Sequence, residues 1–218
     1  MPGSVVALPP IDIPGHEASG LGSDLHPMRI MTRRAAGLHP SGWDRSARAE
    51  VAAVFDSLAP DWHTRTSPER EAVVRDALER GLPADRPTGA CLELGSGIGA
   101  YTPLLAERWS RVVAVDLALE MLRRAPADAG LRVLGDGARL PLADGSLDAV
   151  VLINAFLFPR EVHRLLGPRG VVVWVNSSGT ETPIHLPAED VATALPGGWT
   201  GVKSEAGAGT WCVMTREV

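Results

Sequence analysis

Two periodicities of apolar residues alternate along the chain from about residue 90 onward. Short continuous apolar runs, typical of strands buried on both faces of a sheet, are separated by segments whose apolar residues return every three or four positions. This alternation predicts a parallel sheet with helices on both faces and right-handed crossovers. The predicted strands are 91–94, 112–115, 131–134, 149–153 and 171–175, and the helices between them are 101–108, 119–125 and 159–166.

The end of the chain departs from this alternation. A helix is predicted over 187–195, followed by two strands over 199–204 and 210–216. The five residues between these strands, 205–209, permit an antiparallel hairpin but are too few for a parallel crossover. We therefore expect the last strand to be antiparallel.

Two further helices are predicted before the alternating region. The first covers 46–58 and places its apolar residues on one face. The second begins near Thr66, which has the spacing of a capping box to Glu69, and ends near Gly81. Residues 46–85 are therefore expected to form a helical segment that caps a site on residues 86–218.

Prolines and glycines are frequent in residues 1–45, which therefore cannot sustain a long helix or a central strand. Such a stretch is either a solvated arm or a lid that closes over a site. It contains a small basic cluster of Arg29, Arg33 and Arg34.

Composition narrows the classes of function. The 218 residues are enough for one domain with a sizeable core, and a formal net charge of −5 does not favour nucleic acid or an anionic membrane as a partner. The start of the chain lacks the pattern of a signal peptide, and its apolar runs are too short to span a bilayer. Cys91 and Cys212 lie in strand-like runs without metal-ligand spacing, which indicates buried thiols and a reducing cytoplasm.

The densest chemical signal is a glycine loop between the first strand and first helix of the alternating region. Glycines let the backbone turn sharply and let a ligand approach it, and the following helix start attracts an anionic group. The run is Glu93-Leu94-Gly95-Ser96-Gly97-Ile98-Gly99.

Two cofactors compete for this loop. Gly95, Gly97 and Ala100 satisfy the fingerprint for a dinucleotide, whose pyrophosphate would lie at the helix start. S-adenosylmethionine (SAM) brings an amino-acid carboxylate beside an ammonium group. Glu93 would repel a pyrophosphate but attract an ammonium, so it favours SAM.

Two more carboxylates follow the next two predicted strands. Asp116 lies about 20 residues beyond the loop, where an acidic residue accepts hydrogen bonds from ribose hydroxyls. Asp136, within Gly135-Asp136-Gly137, is placed to accept a hydrogen bond from an adenine amino group. Asp116 fits both cofactors and does not discriminate between them.

These motifs together resemble the core of the class I SAM-dependent methyltransferases. The match covers the acidic-x-Gly-x-Gly-x-Gly run, the acidic residue after strand two and the Gly-Asp after strand three. It continues through Asp144-Gly-Ser-Leu-Asp148 before strand four, Gly167-Pro-Arg-Gly170 before strand five, and the terminal hairpin. The resemblance implies an α/β, Rossmann-like doubly wound sheet of seven strands, mostly parallel, whose last strand is antiparallel.

The resemblance also implies roles for individual residues. The loop of Gly95, Ser96, Gly97 and Gly99 would hold the methionine part of SAM, with Glu93 near its ammonium. Asp116 would bind the ribose, Leu117 would pack on adenine, and Asp136 with Gly137 would bind the adenine amino group. Asn154 would line the methyl-transfer site, and Tyr101 opens the first helix beside the loop as a cofactor or substrate contact.

The sequence shows no conspicuous catalytic constellation, and methyl transfer does not require one because alignment of the reactants supplies much of the rate. His63 and His185 are the candidates for a base or a substrate contact. The compact core is typical of enzymes that methylate small molecules. Methylation of RNA or protein, a SAM-binding protein without transfer activity, and a nicotinamide oxidoreductase are the alternatives.

Overall fold

An eight-stranded sheet forms the centre of the computed structural model, which describes residues 4–17, 26–126 and 130–216. The strands are β1 (Val5–Ala7), β2 (Ala90–Leu94), β3 (Arg111–Asp116), β4 (Leu131–Leu134), β5 (Leu147–Ile153), β6 (Leu166–Asn176), β7 (Trp199–Ala206) and β8 (Gly209–Arg216). The α-helices are α1 (Pro27–Ala35), α2 (Arg45–Leu58), α3 (Pro68–Asp76), α4 (Thr102–Ala106), α5 (Leu119–Arg124), α6 (Pro159–Leu165) and α7 (Ala188–Ala194). Short helical turns cover Ala59–Arg65, Ala77–Gly81 and Gly179–Glu181.

The strand order is β1-β7-β8-β6-β5-β2-β3-β4. All neighbouring strands are parallel except β8, which is antiparallel to both β6 and β7. This confirms the expected α/β class and the antiparallel last strand. The expected count of seven strands was wrong, because Val5–Ala7 adds an eighth strand parallel to β7 at the sheet edge.

Both faces of the sheet are buried, each in its own core. Successive strand residues point to opposite sides, so alternate residues of β2, β3, β5 and β6 belong to different cores. One core contains Leu92, Leu94, Val113, Val150, Leu152, Val172 and Trp174, and the other contains Cys91, Val112, Ala149, Val151, Val171 and Val173. Both cysteines are buried free thiols, as expected.

The two predicted N-terminal helices are present as α2 and α3. Asp44 caps α2 by accepting a hydrogen bond from the Ala47 N–H at 2.8 Å. The cap of α3 is Ser67 and not Thr66, so the expected capping box does not form. The Ser67 hydroxyl accepts from the Arg70 N–H at 3.3 Å, whereas the Thr66 hydroxyl donates to the His63 carbonyl and closes the preceding turn.

Residues from the first 45 positions pack against the C-terminal part of the sheet. β1 pairs with β7, and Arg33 of α1 forms an ion pair with Asp190 of α7 at 3.0 Å. Among the described residues, no helix is long and apolar enough to cross a membrane. The same residues include no cluster of histidine, cysteine or acidic side chains that could hold a metal ion.

Candidate active site

A cavity of about 570 Å³ opens at the C-terminal ends of the parallel strands. Its wall includes the ends of β2, β3 and β5, and β2 lies between the other two strands. The chain runs from β2 to β3 and β4 on one side and then returns to β5 on the other. Ligands of open α/β sheets bind at such a reversal of strand order.

The glycine loop forms the floor of this cavity with a left-handed backbone. Gly95, Gly97 and Gly99 have φ values of +75°, +56° and +74°, which favour glycine. The N–H groups of Gly95 and Ser96 both donate to the Val115 carbonyl, at 2.8 and 3.0 Å, so the loop is fixed to the end of β3.

A buried hydroxyl on this loop has no protein partner. The Ser96 side chain is 7% exposed and lines the cavity, and none of the described residues forms a hydrogen bond with its Oγ atom. Buried polar atoms are rarely left unpaired, so this hydroxyl fits a bound polar ligand. The loop is also closely packed at Gly95, where a Cβ would lie 2.6 Å from the Ala155 Cβ.

Glu93 is buried beside the loop and lines the cavity. Its Oε2 accepts a hydrogen bond from the Thr102 hydroxyl of α4. Burial raises the pKa of Glu93 to about 7, the Thr102 hydrogen bond opposes that shift, and repulsion from Asp116 adds to it. A cationic group in the cavity would therefore find a carboxylate that titrates near neutrality.

Asp116 joins the loop to the next helix. Its Oδ2 accepts from the Gly97 N–H at 2.7 Å, and its Oδ1 accepts from the Ala118 N–H at 2.8 Å. Burial raises the pKa of Asp116, and these backbone hydrogen bonds oppose the shift. Each oxygen keeps a lone pair for a ligand hydroxyl.

Asp136 follows β4 and is bonded to the N-terminal segment. Its Oδ1 accepts from the Trp43 indole N–H at 3.2 Å and from the Ala138 N–H at 3.0 Å. Arg48 lies 3.8 Å from Oδ2, which is the oxygen with more capacity for an added donor.

Asn154, after β5, adopts a left-handed backbone with φ +51°, the only non-glycine residue among those described to do so. Its side chain forms two hydrogen bonds to Ser177, which follows β6. The Asn154 Oδ1 accepts from the Ser177 N–H, and the Asn154 Nδ2 donates to the Ser177 Oγ, both at 2.8 Å. Left-handed backbone at a ligand pocket persists only where such contacts fix it.

Most of the residues predicted from sequence are brought together on the cavity wall. Tyr101 is among them, and burial raises the pKa of its phenol to about 12, so it is a neutral hydrogen-bonding group. Gly99 is outside the wall and shapes the turn into α4 by donating its N–H to the Ser96 carbonyl at 2.9 Å. The wall includes Glu93, Gly95, Ser96, Gly97, Tyr101, Asp116, Leu117, Asp136, Gly137 and Asn154.

Neither candidate histidine is on the cavity wall. His63 is exposed in the turn before α3, and its carbonyl accepts from Thr66. His185 is buried, and its Nδ1 lies 3.0 Å from the Arg29 guanidinium. Arginine can only donate, so Nδ1 is the acceptor in this pair and is not available to take a proton from a substrate.

An aromatic wall that the sequence did not reveal covers the cavity. It is a continuous row of rings with centroids 5.1 to 6.3 Å apart, within the usual range of aromatic pairs. Three rings come from the N-terminal segment and two from the loop after β5. In order along the row they are Trp62, Phe55, Phe156, Trp43 and Phe158.

The donors and acceptors of this cavity fit SAM better than a dinucleotide. Glu93 lies beside the glycine loop and would repel a pyrophosphate there. Together with Asp116 and Asp136, which also line the cavity, it suits an ammonium, ribose hydroxyls and an adenine amino group. The unpaired Ser96 hydroxyl and the loop backbone suit an amino-acid carboxylate.

Comparison with known proteins gives the same assignment. Residues 92–174 match the family model described as a methyltransferase domain. The chain is 34% identical over 145 residues to a malonyl-[acyl-carrier protein] O-methyltransferase of Dechloromonas aromatica, covering 63% of this chain and 54% of that protein. It thus spans about half the length of several curated relatives that it matches.

A demethylmenaquinone methyltransferase of Mycolicibacterium gilvum is 30% identical over 167 residues, covering 71% of this chain and 73% of that protein. The fold is similar to that of a solved SAM-dependent methyltransferase from Aquifex aeolicus. The TM-score is 0.58 and the identity 18%, over 72% of this chain and 97% of that one. The chain belongs to the class I SAM-dependent methyltransferases.

Proposed function

We propose that this protein transfers a methyl group from SAM to a small-molecule acceptor in the cytoplasm. The observation that carries the proposal is the set of three carboxylates at consecutive strand ends around the glycine loop, inside a covered cavity. Bound SAM supplies a methyl group on a sulfonium, which is already activated for displacement. The protein then has to hold the two reactants in line and exclude water.

Each cofactor contact is assigned to a residue of the cavity wall. Glu93 pairs with the ammonium, Ser96 and the backbone of the glycine loop hold the carboxylate, and Asp116 holds the ribose hydroxyls. Leu117 packs on adenine, and Oδ2 of Asp136 accepts from the adenine amino group. Trp62, which would lie 3.4 Å from a Cβ at Gly97, covers the loop from above.

A cap formed by α1, α2 and the turn over Ala59–Arg65 supports a small acceptor. These elements and the segment between α1 and α2 contribute Met28, Trp43, Phe55 and Trp62 to the cavity wall. A cavity covered in this way admits a small molecule more readily than a folded macromolecule.

The basic cluster of Arg29, Arg33 and Arg34 gives little support to an RNA substrate, because two of its three charges, those of Arg33 and Arg34, are paired with carboxylates. Arg33 pairs with Asp190 at 3.0 Å and Arg34 with Asp44 at 3.2 Å, while Arg48 lies 3.8 Å from Asp136. Phosphate binding needs uncompensated cations. One of the relatives named above, a demethylmenaquinone methyltransferase, also supports a small acceptor. The name of the other relative specifies a malonyl group carried on acyl-carrier protein.

Binding of S-adenosylhomocysteine (SAH), the product form of the cofactor, is expected to weaken as pH falls below 7. The pKa of Glu93 is about 7 in the free protein, so this side chain becomes neutral and loses its attraction for the ammonium. The dissociation constant should rise by up to about tenfold per pH unit below the pKa and level off above it. Calorimetric titration between pH 5.5 and 7.5 measures this, and Glu93→Gln should show a flat profile. If the dissociation constant of Glu93→Gln rises with falling pH as steeply as that of the unsubstituted protein, a group other than Glu93 causes the pH dependence.

The acceptor class is tested by incubating the protein with methyl-tritiated SAM and a cell extract, which is then separated by size. We expect label in the low-molecular-weight fraction and not in protein or RNA. Label in a macromolecular fraction would favour the RNA or protein alternative. SAH binding without transfer to any fraction would indicate a SAM-binding protein without transfer activity.

A further inference from the structure

The geometry points to a carboxylate as the group that this protein methylates, held by hydroxyl donors and converted to a methyl ester without a general base. The inference rests on the proposed function and specifies its acceptor. It concerns the part of the cavity wall formed by α1 and by the ends of β5 and β6, which we call the acceptor end. Its residues include His26, Met28, Asn154, Ser177, Ser178 and Thr182.

The hydroxyl of Ser177 is held as a hydrogen-bond donor toward the cavity. Its oxygen accepts the Asn154 Nδ2 at 2.8 Å, and the side chain is almost fully buried. Over the described ranges of the chain, the hydroxyl proton has no protein acceptor. Since Ser177 lines the cavity, an oxygen lone pair of the acceptor molecule is the group that this proton would satisfy.

Two other residues of the acceptor end, Thr182 and His26, also use their acceptor atom within the protein and keep a proton to donate. The Thr182 Oγ1 accepts from the Ser178 N–H at 3.2 Å, which leaves its own proton to donate. The His26 Nδ1 accepts from the Met28 N–H at 3.1 Å, so a neutral ring carries its proton on Nε2. Three side chains of the acceptor end therefore present donors, because their acceptor atoms are already used within the protein.

The acceptor end contributes no carboxylate and no available base to the cavity wall, as far as the described residues show. His185 adjoins it in the chain, but its Nδ1 accepts from Arg29, whose guanidinium also donates to the Thr180 carbonyl. Donors without a base are suited to an acceptor oxygen that arrives already deprotonated. Carboxylates meet this condition at neutral pH, whereas alcohols and phenols do not.

The transfer step balances without a proton. A lone pair of the carboxylate oxygen forms the O–CH₃ bond while the S–CH₃ bond breaks and its electron pair returns to sulfur. The negative charge of the acceptor and the positive charge of the sulfonium are lost together, and the products are a methyl ester and neutral thioether SAH. The donors hold the second carboxylate oxygen and align the first.

Binding to the SAH-loaded protein tests the recognition step independently of turnover. The probes are acetate, benzoate and octanoate, each compared with its primary amide by ligand-observed NMR. We expect at least one acid to bind tenfold or more tightly than its amide.

Substitution of the donors tests the same preference. Ser177→Ala and Thr182→Val should each lower the ratio of acid to amide affinity by about tenfold, as expected for loss of a hydrogen bond to a charged group. Ser146→Ala, which removes an exposed hydroxyl bonded to the Ala143 carbonyl, is the matched control. Equal or stronger binding of every amide, or no binding of any acid, would overturn the inference.

The chemistry of the product separates this inference from the proposed function. The labelled low-molecular-weight fraction is treated with alkali, which hydrolyses methyl esters to volatile methanol but leaves methylated amines, ethers and carbon centres intact. Volatile label supports carboxylate methylation. Label that resists alkali would overturn it while leaving small-molecule methylation in place, and the absence of low-molecular-weight label would contradict both.

Discussion

Asp116→Ala is expected to weaken SAH binding by two to three orders of magnitude while the protein stays folded. The side chain would lose its bonds to the ribose, and hydrogen bonds to charged groups contribute about 1.5–3 kcal/mol each. It would also lose its bond to the Gly97 N–H, which fixes the glycine loop. Calorimetric titration with SAH measures the affinity, and circular dichroism checks the fold.

The matched control for this substitution is Asp148→Ala. Asp148 also accepts two backbone hydrogen bonds from a single carboxylate, from the N–H groups of Gly89 and Ala90 at 2.8 Å. It does not line the cavity. We expect Asp148→Ala to lower stability but keep SAH affinity. A folded Asp116→Ala protein with unchanged affinity would contradict the assignment of the ribose site.

Gly95→Ala is expected to lower the free energy of unfolding by about 2–5 kcal/mol and to weaken SAH binding. An alanine at φ +75° has a backbone cost of about 1–2 kcal/mol. Its Cβ would also lie 2.6 Å from the Ala155 Cβ, and overpacking typically costs a further 1–3 kcal/mol. Chemical denaturation measures the change.

Gly37→Ala separates the cost of backbone strain from the cost of overpacking. Gly37 has φ +72°, close to that of Gly95, but a Cβ added there would have nothing within 4 Å. Its substitution should cost only the backbone strain, about 1–2 kcal/mol. Adding Ala155→Gly to Gly95→Ala should recover part of the packing cost and none of the strain. Equal losses at Gly95 and Gly37 would mean that the loop is not closely packed against Ala155.

The parts of the fold that follow from local pattern were predictable from sequence. Continuous apolar runs identified the central strands, and the short connection around Glu205 required β8 to be antiparallel. The edge strand Val5–Ala7 was missed because three residues in a proline-rich arm carry no periodic signal. The cap at Ser67 was misplaced by one residue because Thr66 has an equally suitable hydroxyl, which the structure uses in the preceding turn.

The site was predictable to the extent that its residues are local in sequence. The glycine loop and the strand-end carboxylates belong to short motifs, whereas the aromatic wall joins Trp43, Phe55 and Trp62 to rings about 100 residues away. No spacing rule connects such segments. The donor role of Ser177 was likewise hidden, since it depends on a hydrogen bond from Asn154 across two strand ends. The position of Asn154 directly after a buried strand was the one available signal.

Thermal unfolding with SAH or NADH, added separately, tests the central claim most directly. A ligand at one hundred times its dissociation constant stabilises the native state by about 2.7 kcal/mol. For a chain of this size, that corresponds to a rise in Tm of roughly 5–10 °C. We predict this rise with SAH and none with NADH. A rise with NADH alone would contradict the assignment of the cavity to SAM, because it would mean that the glycine loop accepts a pyrophosphate despite Glu93.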